Sequence, residues 1–157
     1  MNKIPVLVTK GSASVFDRLA LISEKQRHAV LATDDNGQPY TSLIAFTLTP
    51  DRRSLIFATP CKSTKYRNIR KNGLVSVLID TRSNTDRSYM HAEAVTVQGI
   101  ARSVRKGKKR DALCRLVVRK HPRLGDFVQA KSTVLVEIEI INCLHVTSFQ
   151  AVTAGSR

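Results

Sequence analysis

The chain has few of the residues that form stacking platforms, disulfides and metal sites. It has no tryptophan, and aromatic residues make up 5% of its 157 residues, which leaves few platforms for stacking single-stranded nucleic acid. Its three cysteines, Cys61, Cys114 and Cys143, lie far apart without CxxC spacing, which argues against a disulfide framework or a zinc site. The four histidines share no metal-ligand spacing either. We therefore expect free thiols and no metal site.

Familiar catalytic motifs and membrane segments are also missing. Neither GxSxG, a P-loop nor HExxH occurs, so no catalytic residue can be assigned from a motif. No apolar run reaches the roughly 18 residues needed to cross a bilayer. The apolar stretch near the first residue is too short for a signal peptide. These absences favour a soluble cytoplasmic protein.

Acidic residues are scarce relative to basic ones. The chain has 26 Lys and Arg against 12 Asp and Glu, a net charge of +14. Residues 102–123 contain ten basic residues and one acid, Asp111, and residues 62–71 contain five basic residues and no acid. Such clusters indicate an anionic partner, either nucleic acid, a membrane surface or a phosphorylated small molecule. A solvated helical face is the alternative explanation of the longer cluster.

Hydrophobic periodicity predicts mainly strands. Residues 28–33 and 40–48 read as strands joined by the turn 34–37, whose Asn-Gly pair favours a hairpin. Further strands are predicted at 54–59, 74–80, 93–104, 133–140 and 144–149. Gly99 is expected to mark a bulge or a bend within its strand. Short intervals between strands favour antiparallel pairing in a barrel or sandwich.

Three segments show helical patterns. They cover residues 14–25, residues 63–71 ending at an Asn-Gly pair, and a basic helix from about residue 108 that Pro122 interrupts. Residues 81–88 read as a loop. We predict a mainly β protein of the α+β class, an antiparallel β-barrel with about three flanking helices. Residues 1–157 form a single domain in this prediction, with 1–12 and 150–157 flexible or extended.

The segment from Thr59 to Lys65 is the most informative local feature. It places Ser63, Thr64 and Lys65 at the first turn of a helix that follows a strand. A helix N-terminus exposes unpaired N–H groups and a positive dipole end, which attract phosphate. The hydroxyls could donate hydrogen bonds and the ammonium could neutralise charge. The alternative is that Ser63 only caps the helix and Lys65 points into water.

The order of these segments resembles the FMN-binding split β-barrel proteins related to pyridoxamine 5′-phosphate oxidase. The resemblance covers residues 14–105 well and the remainder only in strand order. It rests on His28-Ala29-Val30-Leu31-Ala32-Thr33, Gly37-Gln38-Pro39-Tyr40, Phe57-Ala58-Thr59, Ser63-Thr64-Lys65-x-x-Asn68-Ile69 and Val95-x-Val97-x-Gly99.

The resemblance implies a split barrel that forms a homodimer with FMN at the subunit interface. In such proteins the second strand holds the flavin edge, largely through its main chain. The end of the third strand and the following helix hold the phosphate. The implied cofactor-binding residues are therefore Tyr40, Thr41, Ser42, Leu43, Ala58, Thr59, Ser63, Thr64, Lys65 and Asn68. For Asn68, a hydrogen bond on the helix face is the alternative role.

The chain departs from the oxidases proper in three places. Ser42 stands where they carry a phosphate-binding Arg, and Ala94 stands near a position that is Gln in them. Residues 144–149 lack the Arg of their C-terminal substrate-binding pattern. We therefore do not expect oxidation of pyridoxamine phosphate itself. Lys62 and Arg67 are the candidates to replace the missing cation.

Three functions remain open from the sequence. The first is FMN binding in an oxidoreductase that passes hydride or electrons between a reduced donor and a small acceptor. The second keeps the fold and binds a deazaflavin or haem, for which His145 or His91 could serve as axial ligand. The third is a basic nucleic-acid-binding module centred on residues 102–123.

Overall fold

The structure is a computed structural model that describes residues 7–10, 12–83, 85–86, 89–147 and 151–157. The strands are β1 (Leu7–Lys10), β2 (His28–Asp35), β3 (Gln38–Leu48), β4 (Ser54–Pro60), β5 (Leu74–Asp80), β6 (Glu93–Ser103), β7 (Thr133–Thr147) and β8 (Ala151–Ser156). The α-helices are α1 (Ser12–Lys25), α2 (Thr64–Lys71), α3 (Lys108–Lys120) and α4 (Gly125–Gln129). Short 3₁₀ helices cover Tyr89–His91 and Pro122–Leu124.

Six antiparallel strands close into a barrel in the order β7-β4-β3-β2-β5-β6, with β6 returning to β7. Outside this ring, β8 pairs antiparallel with β7, and β1 pairs parallel with β8. The predicted α+β class and antiparallel barrel are confirmed. The described chain has four α-helices rather than about three, because the five-residue α4 was not predicted.

Two local backbone features shape the barrel as the sequence predicts. Asn36 and Gly37 both have positive φ, 54° and 89°, and make the tight β2–β3 turn. The β6–β7 register shifts between Gln98 and Gly99. At Gly99 a Cβ atom would lie 2.3 Å from the carbonyl oxygen of Glu139, so only glycine fits this close approach of the two strands.

The core has two parts. The main cluster fills the barrel and includes the buried face of α1, with Val15, Leu19 and Ile22. A second cluster lies between α3, α4 and the outer face of β4 and β7. Because β4 is covered on both faces, Leu55, Ile56 and Phe57 are all fully buried. This double burial explains why the strand reads as a continuous apolar run instead of an alternating one.

The C-terminal prediction was wrong in detail. The structure has one long strand, β7, where two strands at 133–140 and 144–149 were predicted. Residues 151–156, in the stretch expected to be flexible or extended, form β8. Residues 148–150 lie outside the described residues, as do residues 1–6 and 11 of the N-terminal stretch. The predicted loop at 81–88 is described only at 81–83 and 85–86, which hold neither helix nor strand. None of the described helices is long and apolar enough to span a membrane.

Candidate functional site

The barrel opens between β3 and β4. Their ladder runs from Leu48 to Phe46, and its last pair is Phe46 with Phe57. If the pairing continued, Leu43 would lie opposite Pro60. Within the described chain it does not continue, so residues 38–45 leave one backbone edge without a strand partner. Unpaired N–H and C=O groups at a strand edge are available to a ligand.

One side of this opening carries the predicted flavin-edge residues. Tyr40, Thr41, Ser42 and Leu43 pair only with β2, from Thr33↔Tyr40 to Val30↔Leu43. Tyr40 is 38% exposed and Leu43 is 62% exposed. The Oγ atom of Ser42 is buried and has no hydrogen-bond partner among the described residues. This edge therefore combines exposed apolar surface with unpaired polar groups.

The other side of the opening carries the end of β4 and the start of α2. Thr59 is 2% exposed, and its Oγ1 lies 2.9 Å from the Oγ of Ser63. Ser63 is the N-cap of α2, and its Oγ accepts a hydrogen bond from the Tyr66 N–H at 3.3 Å. Ala58, half-buried, precedes Thr59 in β4. The two hydroxyls thus join the strand end to the helix start.

The first turn of α2 retains free donors. The N–H of Ser63 bonds to Pro60 and that of Tyr66 bonds to Ser63, whereas Thr64 and Lys65 have no such partner among the described residues. Both side chains are partly exposed. No described carboxylate forms an ion pair with Lys65. This arrangement leaves two N–H groups, a hydroxyl and an ammonium for an anion.

Asn68 lies one turn further along α2 and faces inward. It is fully buried, and its Nδ2 donates to the Oγ1 of Thr33 on β2 at 3.0 Å. Its Oδ1 has no partner among the described residues. The structure therefore gives Asn68 a contact that fixes α2 against the barrel and no exposed surface in this conformation.

Additional cations surround α2. Lys62, Arg67, Arg70 and Lys71 line a shallow cavity on its outer side together with Cys61. Arg67 lies 3.6 Å from Asp35, so part of its charge is already matched. The cluster keeps the potential near the helix positive. Lys62 and Arg67, the proposed substitutes for the missing Arg, are both exposed.

The two histidines considered as haem ligands have different surroundings. The Nε2 of His145 lies 2.6 Å from Glu93 Oε1, and Glu93 also forms an ion pair with Arg18 of α1. Burial acts to raise the pKa of Glu93, but the bonds from Arg18 and His145 outweigh it, so the pKa lies below its usual value. His91 is exposed in a 3₁₀ helix. The Glu93 cluster was not predicted, since its members lie far apart in sequence.

The basic segment 102–123 forms the end of β6, a turn and α3. With β7 it lines a groove of about 1090 Å³. Two of its cations are paired there, Lys109 with Glu137 at 2.5 Å and Arg102 with Glu139 at 3.3 Å. The groove is therefore mixed in charge. Ser103 and Lys106 also line a smaller cavity with Tyr66 of α2, so the basic segment reaches the side of α2.

The three cysteines are free thiols. Cys61 is exposed, whereas Cys114 and Cys143 are buried. Burial raises the pKa of Cys143 to about 12. That thiol therefore stays protonated at neutral pH and is a poor nucleophile.

Comparison with known proteins gives the same architecture. A haem-binding protein from Mycobacterium smegmatis aligns over 94% of this chain and 59% of its own, at 15% identity and a TM-score of 0.79. Campylobacter jejuni ChuZ aligns over 95% of this chain and 62% of its own length, at 15% identity and a TM-score of 0.79. The chain therefore spans less than two thirds of either protein. A FAD-binding protein from Mesorhizobium loti aligns over 80% of this chain and 87% of its own length, at 18% identity and a TM-score of 0.66.

The sequence itself matches one family. No curated protein matches the chain significantly. The family model described as pyridoxamine 5′-phosphate oxidase matches residues 17–143, a range that runs from α1 into β7 and includes the whole β3–β4 opening. The chain therefore belongs to the pyridoxamine 5′-phosphate oxidase family of split β-barrel proteins.

Proposed function

We propose that the chain binds FMN at the opening between β3 and β4, as a homodimer, and works as an oxidoreductase on a small acceptor. One observation carries this proposal. The β3–β4 ladder ends at the pair Phe46–Phe57, and the first turn of α2 beside it has backbone N–H groups without partners among the described residues. It places an apolar edge and an anion-binding helix start on the two sides of one opening. A mononucleotide with a flat ring and a phosphate tail has matching chemistry.

The phosphate would be held by the start of α2. The backbone N–H groups of Thr64 and Lys65, the Thr64 hydroxyl and the Lys65 ammonium are the available donors. The Ser63 hydroxyl shares a hydrogen bond with Thr59, and it can donate to the phosphate when Thr59 is the donor of that bond. Charge-assisted hydrogen bonds to phosphate are among the stronger polar contacts in proteins.

The ring would be held by β3. The free backbone edge of residues 40–43 offers donors and acceptors, and Tyr40 and Leu43 offer apolar surface. Ser42 would take part through its backbone groups, because its Oγ is buried and has almost no accessible surface in this conformation. A second copy packing against Leu43 would cover this surface and exclude water, as the family resemblance implies.

When bound, FMN supplies the hydride and electron-transfer chemistry itself. The chain then needs only to bind, orient and shield it, which agrees with the lack of a catalytic motif. Ser63 and Thr59 fix the helix start relative to β4. Asn68 is a positioning residue in this proposal, because it holds α2 against Thr33 of β2.

Haem and deazaflavin are the alternative cofactors for the same fold. Haem needs an axial ligand, and the Nε2 of His145 is already engaged by Glu93. The positive, hydroxyl-rich start of α2 favours a ligand with a phosphate. Deazaflavin cofactors also carry phosphate, so reconstitution must separate them from FMN.

The test is reconstitution of the purified full chain with FMN, deazaflavin cofactor and haem in separate samples, followed by desalting. We expect flavin absorption bands to remain with FMN. A Soret band, or retention of deazaflavin in preference to FMN, would contradict the proposal. Turnover of NADH or NADPH by the FMN-loaded protein then tests the oxidoreductase assignment.

Comparison of FMN with riboflavin tests the position of the phosphate. Lys65→Ala should weaken FMN by about 1.5–3 kcal/mol, the range for a hydrogen bond to a charged group, and should leave riboflavin, which lacks the phosphate, unchanged. Lys71→Ala, at the opposite end of the same helix, is the matched control. Equal losses of FMN and riboflavin, or equal effects of the two substitutions, would show that Lys65 does not contact the phosphate.

A further inference from the structure

A second cavity lies at the other end of β3. It has a volume of about 470 Å³ and lies between α1, α3 and the turn that joins β3 to β4. Thr47 is one of its lining residues, four residues along the strand from Leu43, or about 13 Å at the usual rise per residue. The cavity is therefore separate from the proposed FMN site.

Lys120, the last residue of α3, brings a poorly compensated cation into this cavity. Its Nζ donates to the backbone oxygen of Ser23 at 2.6 Å and lies 3.9 Å from the centroid of the Phe46 ring. No described carboxylate forms an ion pair with it. Burial, with a smaller contribution from Arg27, lowers its pKa to about 8. A desolvated ammonium without a counter-charge is costly, so an anion beside it would be stabilising.

Two residues that line the same cavity carry buried hydroxyls without a partner among the described residues. Ser23 is 4% exposed and Thr47 is 6% exposed. The Ser23 Oγ and the Thr47 Oγ1 form no hydrogen bond with any described residue. Buried hydroxyls that lack partners are uncommon and destabilising. Both hydroxyl oxygens have almost no accessible surface in this conformation, so an oxyanion reaches them only after a small side-chain rearrangement.

The charges around the cavity also favour an anion. Arg119 and Arg52 line it, and Arg52 is paired with Asp17. Among the described residues of the lining the one acid is Glu24, which is exposed. The balance of the lining is therefore positive.

We propose that this cavity binds a small oxyanion, a carboxylate or a phosphate-like group, with Lys120 as its direct contact. The site is independent of the FMN proposal, since it uses none of the residues at the β3–β4 opening. Its ligand would be a small acidic metabolite or the acidic end of a larger one.

The test is calorimetric titration of the full chain with sulfate and, separately, with acetate, at constant ionic strength in chloride. Sulfate represents tetrahedral anions and acetate represents carboxylates, so the stronger of the two identifies the ligand class. Lys120→Met should weaken the preferred anion by about tenfold to a hundredfold, the range for a charge-assisted hydrogen bond. Lys25→Met removes an exposed lysine of α1 outside the cavity and should change the affinity by less than about twofold.

The proposal would be overturned if neither sulfate nor acetate binds, or if Lys120→Met and Lys25→Met lose anion affinity equally.

The pH dependence of sulfate binding gives a second test that needs no mutation, because sulfate stays fully ionised. The groups facing Lys120 are Arg27, Arg119, Arg52, Glu24 and His121, and burial lowers the pKa of His121. We expect sulfate affinity to be level near pH 7 and to fall by about tenfold per pH unit above the Lys120 pKa. A level profile up to about pH 10 would overturn the proposal even if Lys120→Met fails to fold.

Discussion

Ser63→Asp separates the structural role of the α2 cap from its proposed role in phosphate binding. Ser63 caps the helix through its Oγ, which accepts from the Tyr66 N–H at 3.3 Å. Aspartate caps about as well as serine, and its charge is favourable at the positive end of the helix dipole by about 0.3–1 kcal/mol. The free energy of unfolding should therefore stay unchanged or rise slightly.

The same substitution should strongly weaken FMN binding. It places a carboxylate at the helix start where the phosphate is proposed to bind. Two unit charges about 5 Å apart, at an effective dielectric constant of about 20, repel by about 3 kcal/mol, equivalent to roughly a 150-fold loss of affinity. Ser63→Ala lacks the repulsion and should destabilise the fold by about 1 kcal/mol through loss of the cap.

The assay combines urea unfolding with fluorescence titration of FMN and of riboflavin. We expect Ser63→Asp to be as stable as the parent, to bind FMN much more weakly and to bind riboflavin nearly as well. The loss should shrink as salt is raised, because the repulsion is screened. A stable Ser63→Asp variant that retains full FMN affinity would refute the placement of the phosphate at α2.

Two further predictions concern the barrel and the partly buried ion pairs of Glu93. Gly99→Ala should destabilise the fold by about 1–3 kcal/mol, because its Cβ would lie 2.3 Å from the Glu139 carbonyl oxygen. Gly125→Ala is the control, since a Cβ there has no atom within 4 Å. Similar urea midpoints for the two variants would contradict the close contact of β6 with β7 at Gly99. Because the pKa of Glu93 is lowered in the fold, its contribution to stability is present above its unfolded pKa and is lost as pH falls through the folded value. Glu93→Gln should therefore reduce stability at pH 7 and flatten its acid dependence in pH-dependent urea unfolding. An unchanged acid limb would show that the Glu93 carboxylate, with its contacts to Arg18 and His145, contributes nothing.

Local sequence patterns predicted those barrel strands whose bounds follow from a turn motif or from the alternation of apolar and polar residues. The Asn-Gly turn defined the β2–β3 hairpin, β5 was predicted at its observed bounds, and Gly99 marked the bulge in β6. The helix start at Ser63 was also predicted, with the cap as the alternative role of this residue, because an N-cap depends on residues only a few positions apart.

Features that depend on distant partners were not predictable in the same way. β7 continues through Ile141 and Asn142 because β6 and β8 pair with it on both sides, although its sequence loses the alternation there. The small and polar residues of β8 show no strand pattern, so the sequence did not predict this strand, which forms by pairing with β7. The inward direction of Asn68 and the poorly compensated charge of Lys120 both follow from packing between distant segments, which spacing does not encode.

The decisive experiment is a crystal structure of the full chain grown with FMN. We expect phosphate density at the N–H groups of Thr64 and Lys65, with the ring along residues 40–43 of β3. Phosphate density at the Lys120 cavity or in the groove between residues 102–109 and β7, with the start of α2 facing solvent, would contradict the proposed site.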